Sequence, residues 1–276
     1  MVNLKDNSNG FSVLMSLYMK EKPEYLDRCL ESLFEQTIHA NEIIIVLDGA
    51  ISTELTATIE KWKTFLPLKI LPLKENVGLG KALNLGLKIC SNDIIIRMDT
   101  DDICLENRFE TQYNFLLANP DIIIVGSNIE EFTTDENIII GKRLVPITYS
   151  DIKKYCIIRN PFNHMSVCFR KSAIEKIGGY QHHHFMEDYN LWLRTIAAGF
   201  QVANIEQSLV RVRVGDDMLK RRSGLKYVVS EYHLAVLKYD LKLHSLYGAV
   251  TVFFIRSLPG LIPISILRLF YKHLRK

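Results

Sequence analysis

The chain has 276 residues, 48% of them hydrophobic, and a formal net charge of +3. This length is enough to bury a full hydrophobic core without the help of disulfides or structural metals. So small a net charge gives no indication of nucleic-acid binding. The five cysteines are odd in number and scattered without a CxxC pair, which is typical of small buried side chains in a reducing compartment. The polar stretch 1–10 lacks the apolar core of a signal peptide, so we expect the globular part to be cytosolic.

Strands and helices alternate in the first half of the sequence. Apolar, often β-branched runs predict strands at 11–18, 42–47, 68–71, 93–98 and 121–127. Helical spacing of apolar residues, with Pro23 in a first turn and Ser52 or Thr53 as a cap, predicts the helices between them. This order implies βαβ units with right-handed crossovers. We therefore predict an α/β, Rossmann-like fold with a mostly parallel central sheet and helices on both faces.

The pattern changes after Gly126. A polar-tipped hairpin over 128–143 and a short helix come first. A strand at 165–169 and a helix at 172–177, stopped by Gly178-Gly179, follow them. Further segments are predicted as a helix at 187–198 and an extended stretch at 202–214.

The C-terminal part differs in composition. Residues 246–271 are rich in apolar and aromatic side chains, but Arg256, Pro259, Pro263 and Arg268 prevent an unbroken span of about 20 apolar residues. A basic segment of this kind fits an interfacial helix pair lying on a membrane with anionic headgroups. A docked helical hairpin and a dimer interface are the alternatives. We divide the chain into a main domain, 1–215, and a helical, membrane-associating extension, 216–276.

Three carboxylates follow the strand predicted at 93–98, namely Asp99, Asp101 and Asp102. Open α/β sheets bind their ligands at the carboxyl ends of the strands, and clustered carboxylates repel one another unless a cation neutralises them. A hard divalent metal prefers oxygen ligands and commonly bridges to a diphosphate. A bare DxD is a weak signal, and an acidic loop with helix caps is the alternative. The position after a buried strand favours metal and nucleotide-diphosphate binding, with Asp102 as a ligand or a cap.

Two other predicted strands also end in polar residues. Asn76, Gly78 and Lys81 come before the third helix, where glycines permit close backbone approach and a helix N-terminus with a lysine suits phosphate. A plain turn with a cap is the alternative. Asp48 follows the second strand and is suited to accept a hydrogen bond from a base N–H, as uracil recognition requires, or else forms a turn with Gly49.

Two adjacent acids, Glu187 and Asp188, open a predicted helix. One interpretation is a general base that takes a proton from an attacking hydroxyl, and the other is charge favoured by the helix dipole. The run 182–184 of three histidines lies in a Gly-rich loop without cysteine partners, which argues against a metal site. His164 is isolated and is either a core residue or an acceptor-site residue.

These stretches, in this order and spacing, resemble family 2 glycosyltransferases with the GT-A fold over about residues 11–213. The finer match is to bacterial transferases of amylovoran, O-antigen and capsule synthesis. Members of that group often add the second sugar to an undecaprenyl-diphosphate-linked GlcNAc or GalNAc. The resemblance thus implies a UDP-sugar donor, a lipid-linked saccharide acceptor and Mn²⁺ or Mg²⁺ as cofactor. Among UDP-sugars, the resemblance favours UDP-Gal or UDP-Glc as the donor.

The resemblance also implies residue roles. It implies that Asp188 is the general base, that Glu187 places acceptor or donor, and that Asp101 binds the metal, with Asp99 and Asp102 as further ligands. The residues implied to bind the donor are Ser16, Tyr18, Glu21, Asp48, Asn76, Gly78, Lys81, Asp99 and Thr100, and the resemblance implies that Arg211 and Arg222 face the diphosphate of donor or acceptor. Two positions depart from the family pattern, since Leu47 stands where a second acid is usual and Val214-Gly215 where a histidine is often found.

The resulting hypothesis is an inverting, metal-dependent hexose transfer that forms a β-linkage in surface polysaccharide synthesis. We expect a peripheral enzyme at the cytoplasmic face of the bacterial inner membrane, with a homodimer as a further expectation. A sugar-phosphate nucleotidyltransferase is the first alternative, and the absence of glycine from 14–20 argues against it. A non-catalytic subunit is the second, and the intact Asp99, Asp101 and Asp188 argue against that.

Overall fold

The computed structural model describes residues 10–215 and 224–258. The strands are β1 (Phe11–Leu17), β2 (Glu42–Leu47), β3 (Leu68–Pro72), β4 (Ile94–Arg97), β5 (Ile103–Cys104), β6 (Ile122–Phe132), β7 (Gly141–Arg143), β8 (Cys168–Arg170) and β9 (Gln201–Arg213). The helices are α1 (Pro23–Phe34), α2 (Thr53–Trp62), α3 (Leu79–Ile89), α4 (Arg108–Ala118), α5 (Tyr149–Tyr155), α6 (Lys171–Lys176), α7 (Glu187–Ala197), α8 (Leu225–Asp240) and α9 (Leu246–Ser257).

The described strands form one sheet in the order β3-β2-β1-β4-β8-β6-β9-β5, with β7 paired to β6. The first four strands of this order are mutually parallel. The connections through α1, α2 and α3 make this possible, because parallel neighbours need a long crossover. Parallel strands end at the same edge of a sheet. The loops that follow β1, β2, β3 and β4 therefore meet at one edge.

The second half of the sheet is mixed. Strand β8 runs antiparallel to both β4 and β6, whereas β9 runs parallel to β6. After β6 the chain turns back through the hairpin strand β7 and the short α5, so β8 enters between β4 and β6 in the reverse direction. The α/β class is confirmed, and the mostly parallel prediction describes the half formed by β3, β2, β1 and β4.

The core lies on both faces of the sheet. Val13 and Met15 of β1 pack in the layer that includes α1, α2 and α4, while Leu14 packs in the layer that includes α3 and α7. Strand β1 is buried on both faces, which is why it reads as a continuous apolar run. All five cysteines are buried and free, as their scattered spacing indicates.

Two strand boundaries differ from the sequence prediction. Strand β6 runs past Ser127 to Phe132, because Asn128 is satisfied inside the sheet: its Nδ2 donates to Glu206 O at 2.6 Å and its Oδ1 accepts from Val145 N at 2.8 Å. The strand predicted at 165–169 is instead a 3-10 turn, His164–Ser166, followed by β8.

Helices α8 and α9 pack against each other, and α8 also packs against α7. The carboxylate of Glu231, which is 2% exposed, accepts two bonds from Arg256, at 2.6 and 2.7 Å. Lys238 is 1% exposed and donates to Ile157 O at 2.8 Å. The described part of the extension is therefore docked on the main domain. The rest of the apolar segment, residues 259–276, lies outside the described residues, and no described helix is long and apolar enough to cross a bilayer.

Candidate active site

The acidic cluster sits at the carboxyl end of β4, where the first four strands end together. One carboxylate oxygen from each of Asp99, Asp101 and Asp102 lies within 4.8 Å of the others. Asp102 is 1% exposed, and its Oδ1 accepts a 2.9 Å hydrogen bond from Arg213 N. Its Oδ2 is buried without a hydrogen-bond partner. Asp102 thus holds β9 with one oxygen and leaves the other free for a ligand.

The electrostatics of this cluster call for a cation. Burial, together with the charges of Asp99 and Glu21, raises the pKa of Asp101 to about 7. Burial also raises the pKa of Asp102 well above its usual range, with Asp101 and Asp99 adding to the effect. Clustered carboxylates with an unpaired buried oxygen fit a hard divalent cation such as Mn²⁺ or Mg²⁺, which takes oxygen ligands. The residues that would hold it are Asp99, Asp101 and Asp102.

A buried arginine that the sequence reading did not single out lies beside the cluster. Arg97 is 1% exposed and forms an ion pair with Asp99 through Nη2. Its Nε and Nη1 have no hydrogen-bond partner. Arg97 is the single charged side chain in β4. A charged residue in an otherwise apolar strand, just before the carboxylates, is the sequence signal that could have identified it.

Asp48 organises the loop that follows β3. Its Oδ1 accepts from Val77 N at 2.6 Å and its Oδ2 from Gly78 N at 3.1 Å, while Asn76 Nδ2 donates to its backbone oxygen at 3.1 Å. Gly49 has a φ of 88°, and a Cβ there would lie 3.0 Å from Asn76 N, so only glycine fits this turn. The carboxylate predicted to face a base thus bonds backbone N–H groups of the predicted nucleotide loop.

Helix α3, which follows this loop in the chain, packs against the first turn of α7. A Cβ on Gly80 would lie 3.2 Å from Glu187 Cγ and 3.4 Å from Tyr180 Cβ, so the small residue permits this close packing. Asn84 of α3 forms a reciprocal pair with the backbone of Tyr180, donating to its oxygen at 2.7 Å and accepting from its nitrogen at 2.9 Å. Lys81 and Asn76 remain exposed to solvent.

Asp188 and Glu187 begin α7. Asn160 Nδ2 donates a 2.7 Å hydrogen bond to Oδ2 of Asp188. Burial raises the pKa of the Asp188 carboxyl, against the opposing effects of its hydrogen bonds and of Arg143 and Arg97. Burial likewise raises the pKa of Glu187. A carboxylate with a raised pKa is suited to accept a proton near neutral pH.

Tyr180 is buried beside Gly80, the residue that also packs against Glu187 in the first turn of α7. Burial raises the pKa of its hydroxyl, and Arg97, Asp188 and Asp99 all act on it electrostatically. Its hydroxyl lies 2.9 Å from His164 Nε2. Burial, followed by the charge of Arg97, lowers the pKa of His164 well below its usual range, so this imidazole is neutral. Neither Tyr180 nor Asn160 stood out in the sequence, since an isolated tyrosine and asparagine carry no spacing signal.

The remaining predicted residues fall into two groups. At the end of β1, Ser16 is half-buried and Tyr18 is 44% exposed, while Glu21 Oε2 accepts a 2.6 Å bond from Thr100 Oγ1, tying this loop to the acidic one. On β9, Arg211 Nε lies 3.3 Å from Glu130 Oε2.

The basic residue that contacts the acidic loop is Arg213, two positions after Arg211 on β9. Arg213 donates from Nε to Asp101 O at 3.3 Å and stacks over the ring of Tyr25, with 3.9 Å between its guanidinium carbon and the ring centroid. Arg222 lies outside the described residues.

An acidic cluster that fits a divalent cation at the carboxyl edge of an α/β sheet, together with a separate carboxylate at the start of a helix, is typical of glycosyltransferases of the GT-A kind. The profile of glycosyl transferase family 2 matches residues 12–178, and the chain belongs to this family.

Sequence relatives match along almost the whole chain. The amylovoran biosynthesis glycosyltransferase AmsE of Erwinia amylovora is 46% identical over 269 residues, which is 96% of this chain and 99% of AmsE. A UDP-Gal:alpha-D-GlcNAc-diphosphoundecaprenol beta-1,3-galactosyltransferase of Escherichia coli is 40% identical over 263 residues, covering 93% of this chain and 94% of that enzyme. The predicted resemblance is confirmed by these matches.

Among solved structures, S. aureus TarS 1-349 in complex with UDP-GlcNAc superposes with a TM-score of 0.68 at 16% identity, over 92% of this chain and 74% of TarS 1-349. At that identity the likeness shows the fold, and it confirms the predicted GT-A architecture.

Proposed function

We propose that the protein transfers a hexose from a UDP-sugar to a lipid-linked saccharide, with inversion at the anomeric carbon. The observation that carries the proposal is the acidic cluster at the end of β4, where one carboxylate oxygen from each of Asp99, Asp101 and Asp102 lies within 4.8 Å of the others. A separate carboxylate, that of Asp188, is held by Asn160 at the start of α7. The cluster is suited to a cation and a diphosphate, and Asp188 to the acceptor hydroxyl.

The donor diphosphate lies at the acidic cluster in this proposal. Asp99, Asp101 and Asp102 hold the metal, which when bound offsets the charge of the departing nucleoside diphosphate. The nucleoside lies along the ends of β1, β2 and β3. There Asp48 shapes the loop, and the other donor-binding residues are Ser16, Tyr18, Glu21, Asn76, Gly78, Lys81 and Thr100. Arg211 and Arg222 are proposed to face the diphosphate of donor or acceptor.

Asp188 acts as the general base in this proposal. Asn160 holds its Oδ2, and the carboxylate so oriented accepts the proton of the attacking hydroxyl. Glu187, whose side chain packs against Gly80, places the sugar between the two sites. Attack from the face opposite the diphosphate converts a UDP-α-sugar into a β-linked product.

The donor and acceptor classes are proposed from the relatives. The Escherichia coli relative is named for transfer from UDP-Gal to GlcNAc-diphosphoundecaprenol, and it shares 40% of its residues with this chain over nearly its full length. We therefore propose UDP-Gal or UDP-Glc as donor and an undecaprenyl-diphosphate-linked sugar as acceptor. The experiment is a panel of UDP-sugars incubated with a synthetic GlcNAc-diphosphate-lipid, with and without EDTA. Transfer that persists fully in EDTA, or no transfer from any UDP-sugar, would contradict the proposal.

We further propose that the main domain, 1–215, works at the cytoplasmic face of the inner membrane through the extension, 216–276. Exposed apolar and aromatic residues recur on α8 at intervals of three and four, so they share one face of the helix. These residues are Leu225, Val229, Tyr232, Val236 and Tyr239, and on α9 they continue with Tyr247, Val250 and Phe254. An apolar face with tyrosines suits the bilayer interface.

Cosedimentation with vesicles tests this membrane face. The double variant Val229→Asp/Val236→Asp is expected to lose binding to vesicles that contain anionic lipid. Leu117→Asp is the matched control, because Leu117 is 50% exposed on α4 of the main domain. Equal binding of both variants would contradict the membrane role of α8. Persistent dimerisation of the wild-type chain that only the α8 variant disrupts would assign this face to a homodimer instead.

A further inference from the structure

The first turn of α7, which carries Glu187 and Asp188, begins without a local side-chain cap. Its N-cap residue is Met186, and the preceding Phe185 has a φ of 62°, a conformation that few residues with a β-carbon adopt. A strained entry to a helix persists only when its surroundings hold it. The contacts that hold it come from α8.

His183 makes the central contact. It is 6% exposed, and its Nε2 lies 2.9 Å from Ser230 O of α8. A carbonyl only accepts, so Nε2 carries the hydrogen and donates it. Its Nδ1 lies 3.3 Å from Asn190 Nδ2 in the second turn of α7, where the amide nitrogen donates and the imidazole accepts. The geometry therefore specifies one neutral tautomer that bridges α8 and α7.

Two further bonds extend this bridge. Ser230 Oγ donates back to His184 O at 2.8 Å, so α8 holds the loop at two adjacent residues. Asn190 Oδ1 accepts from Arg194 Nε at 2.8 Å, and the Arg194 guanidinium donates to the backbone oxygens of Ile177 and Gly179. That turn leads directly to Tyr180. This series of hydrogen bonds thus links α8 both to helix α7, which carries Asp188, and to the turn before Tyr180.

The distal half of α8 contacts the residue next to Asp188. Lys238 Nζ lies 4.8 Å from the centroid of the Tyr189 ring, and the Arg256 guanidinium lies 5.7 Å from it. The Tyr189 hydroxyl donates to Cys156 O at 2.7 Å. The first turn of α7 is therefore held through His183 on one side of Asp188 and through Tyr189 on the other.

We infer that His183 is a positioning residue for Asp188, with α8 as the element that fixes it. This inference rests on the proposed role of Asp188 as base. It assigns a role to the histidine run that does not involve a metal, and it makes the extension part of the catalytic apparatus. A displacement of about 1 Å at a reacting group is enough to lower turnover by about a hundredfold.

The test uses the full chain with Mn²⁺, a UDP-sugar and the lipid-linked acceptor. His183→Leu removes both bonds of the imidazole, and we expect kcat to fall about tenfold to a hundredfold. Calorimetric UDP binding in the presence of Mn²⁺ should stay within about twofold, because the His183 imidazole bonds to Ser230 and Asn190 rather than to the acidic cluster. His183→Gln keeps an N–H donor for Ser230 O and is expected to recover part of kcat. His182→Leu, at an exposed position of the same run, is the matched control and should turn over normally.

The outcomes are separable from those of the proposed function. Normal kcat in His183→Leu, or a parallel loss of kcat and UDP binding, would overturn the inference. If His183→Leu does not fold, Asn190→Ala removes the same bridge from the α7 side and must show the same loss of kcat with UDP binding retained. Full turnover by Asp188→Asn would instead remove the proposed base itself. Loss of turnover in Asp188→Asn beside normal His183 and Asn190 variants would overturn the positioning role alone.

Discussion

Asn160 holds Asp188 by a single hydrogen bond of 2.7 Å from its Nδ2 to Oδ2. The bond favours the charged form of a carboxylate whose pKa is raised by burial. It also orients the carboxylate, because it fixes the position of Oδ2. The state of this base therefore depends on a residue in the loop before the His164 turn.

Replacement of Asp188 by Asn should abolish the proton acceptor and preserve the shape of the site. We expect transfer to fall by a factor of about 10² to 10⁴, the usual contribution of a general base. UDP binding with Mn²⁺ should be nearly unchanged, since the predicted metal ligands lie on another element. Single-turnover kinetics and calorimetry on the same preparation measure the two quantities. Normal turnover in this variant would remove Asp188 from the mechanism.

Asn160→Ala should move the pH profile of transfer. Loss of the hydrogen bond raises the pKa of Asp188 further, because the bond favours the charged form. A general base must be deprotonated to act, so the acidic limb of the kcat/KM profile should shift to higher pH. Rates at the alkaline end of the profile should recover towards the wild-type value. A profile that falls uniformly without a shift would show that Asn160 only supports the loop.

The acidic cluster should destabilise the metal-free protein. The pKa of Asp101 is about 7, raised from 3.8 chiefly by burial. Between those two values the folded chain binds more protons than the unfolded chain, so this group lowers the free energy of unfolding as pH rises from about 4 to 7. Asp101→Asn is therefore expected to raise Tm in EDTA near pH 7 and to abolish the rise in Tm on adding Mn²⁺. An unchanged response to Mn²⁺ would place the metal elsewhere.

Asp48→Ala should loosen the loop that begins at Asn76. The change leaves the N–H groups of Val77 and Gly78 without their acceptor, at a cost of about 1–3 kcal/mol in the free energy of unfolding. UDP affinity is expected to fall with it, whereas Mn²⁺ binding should not. Urea denaturation and calorimetry provide the measurements. Asp151→Ala, at an exposed position of α5 remote from this loop in sequence, is the control for loss of a carboxylate.

The ion pair between Glu231 and Arg256 should stabilise the docking of α9 on α8. Glu231→Ala leaves the Arg256 charge without its partner, and loss of one member of a buried pair costs about 3–5 kcal/mol. Chemical denaturation should show this loss. The exposed pair of Lys63 and Glu60 is the control, since Glu60→Ala should cost less than about 1 kcal/mol. Equal effects of the two changes would mean that solvent reaches Arg256.

The sequence predicted the parallel half of the sheet well, because β1, β2 and β4 are apolar runs and Pro23 and Ser52 mark helix starts. It also located the acidic cluster from one strand end. The position of β8 was not predictable, since strand direction depends on the turn through β7 and α5. Arg97, Asn160 and Tyr180 were missed because their neighbours in space are distant in sequence. The role of Asp48 in the loop depends on N–H groups 29 and 30 residues further along the chain, which no local pattern reveals.

The two hydrogen bonds between Asn84 and the backbone of Tyr180 join two segments of the chain with different proposed roles. Residues before Asn84 and the strand β4 hold the proposed donor side, whereas Asn160, Tyr180, Glu187 and Asp188 come later and face the proposed acceptor. A chimera that exchanged the later segment between relatives would keep its donor while changing its acceptor. Such an exchange has to preserve this contact among others: the amide at position 84 must meet the backbone at position 180.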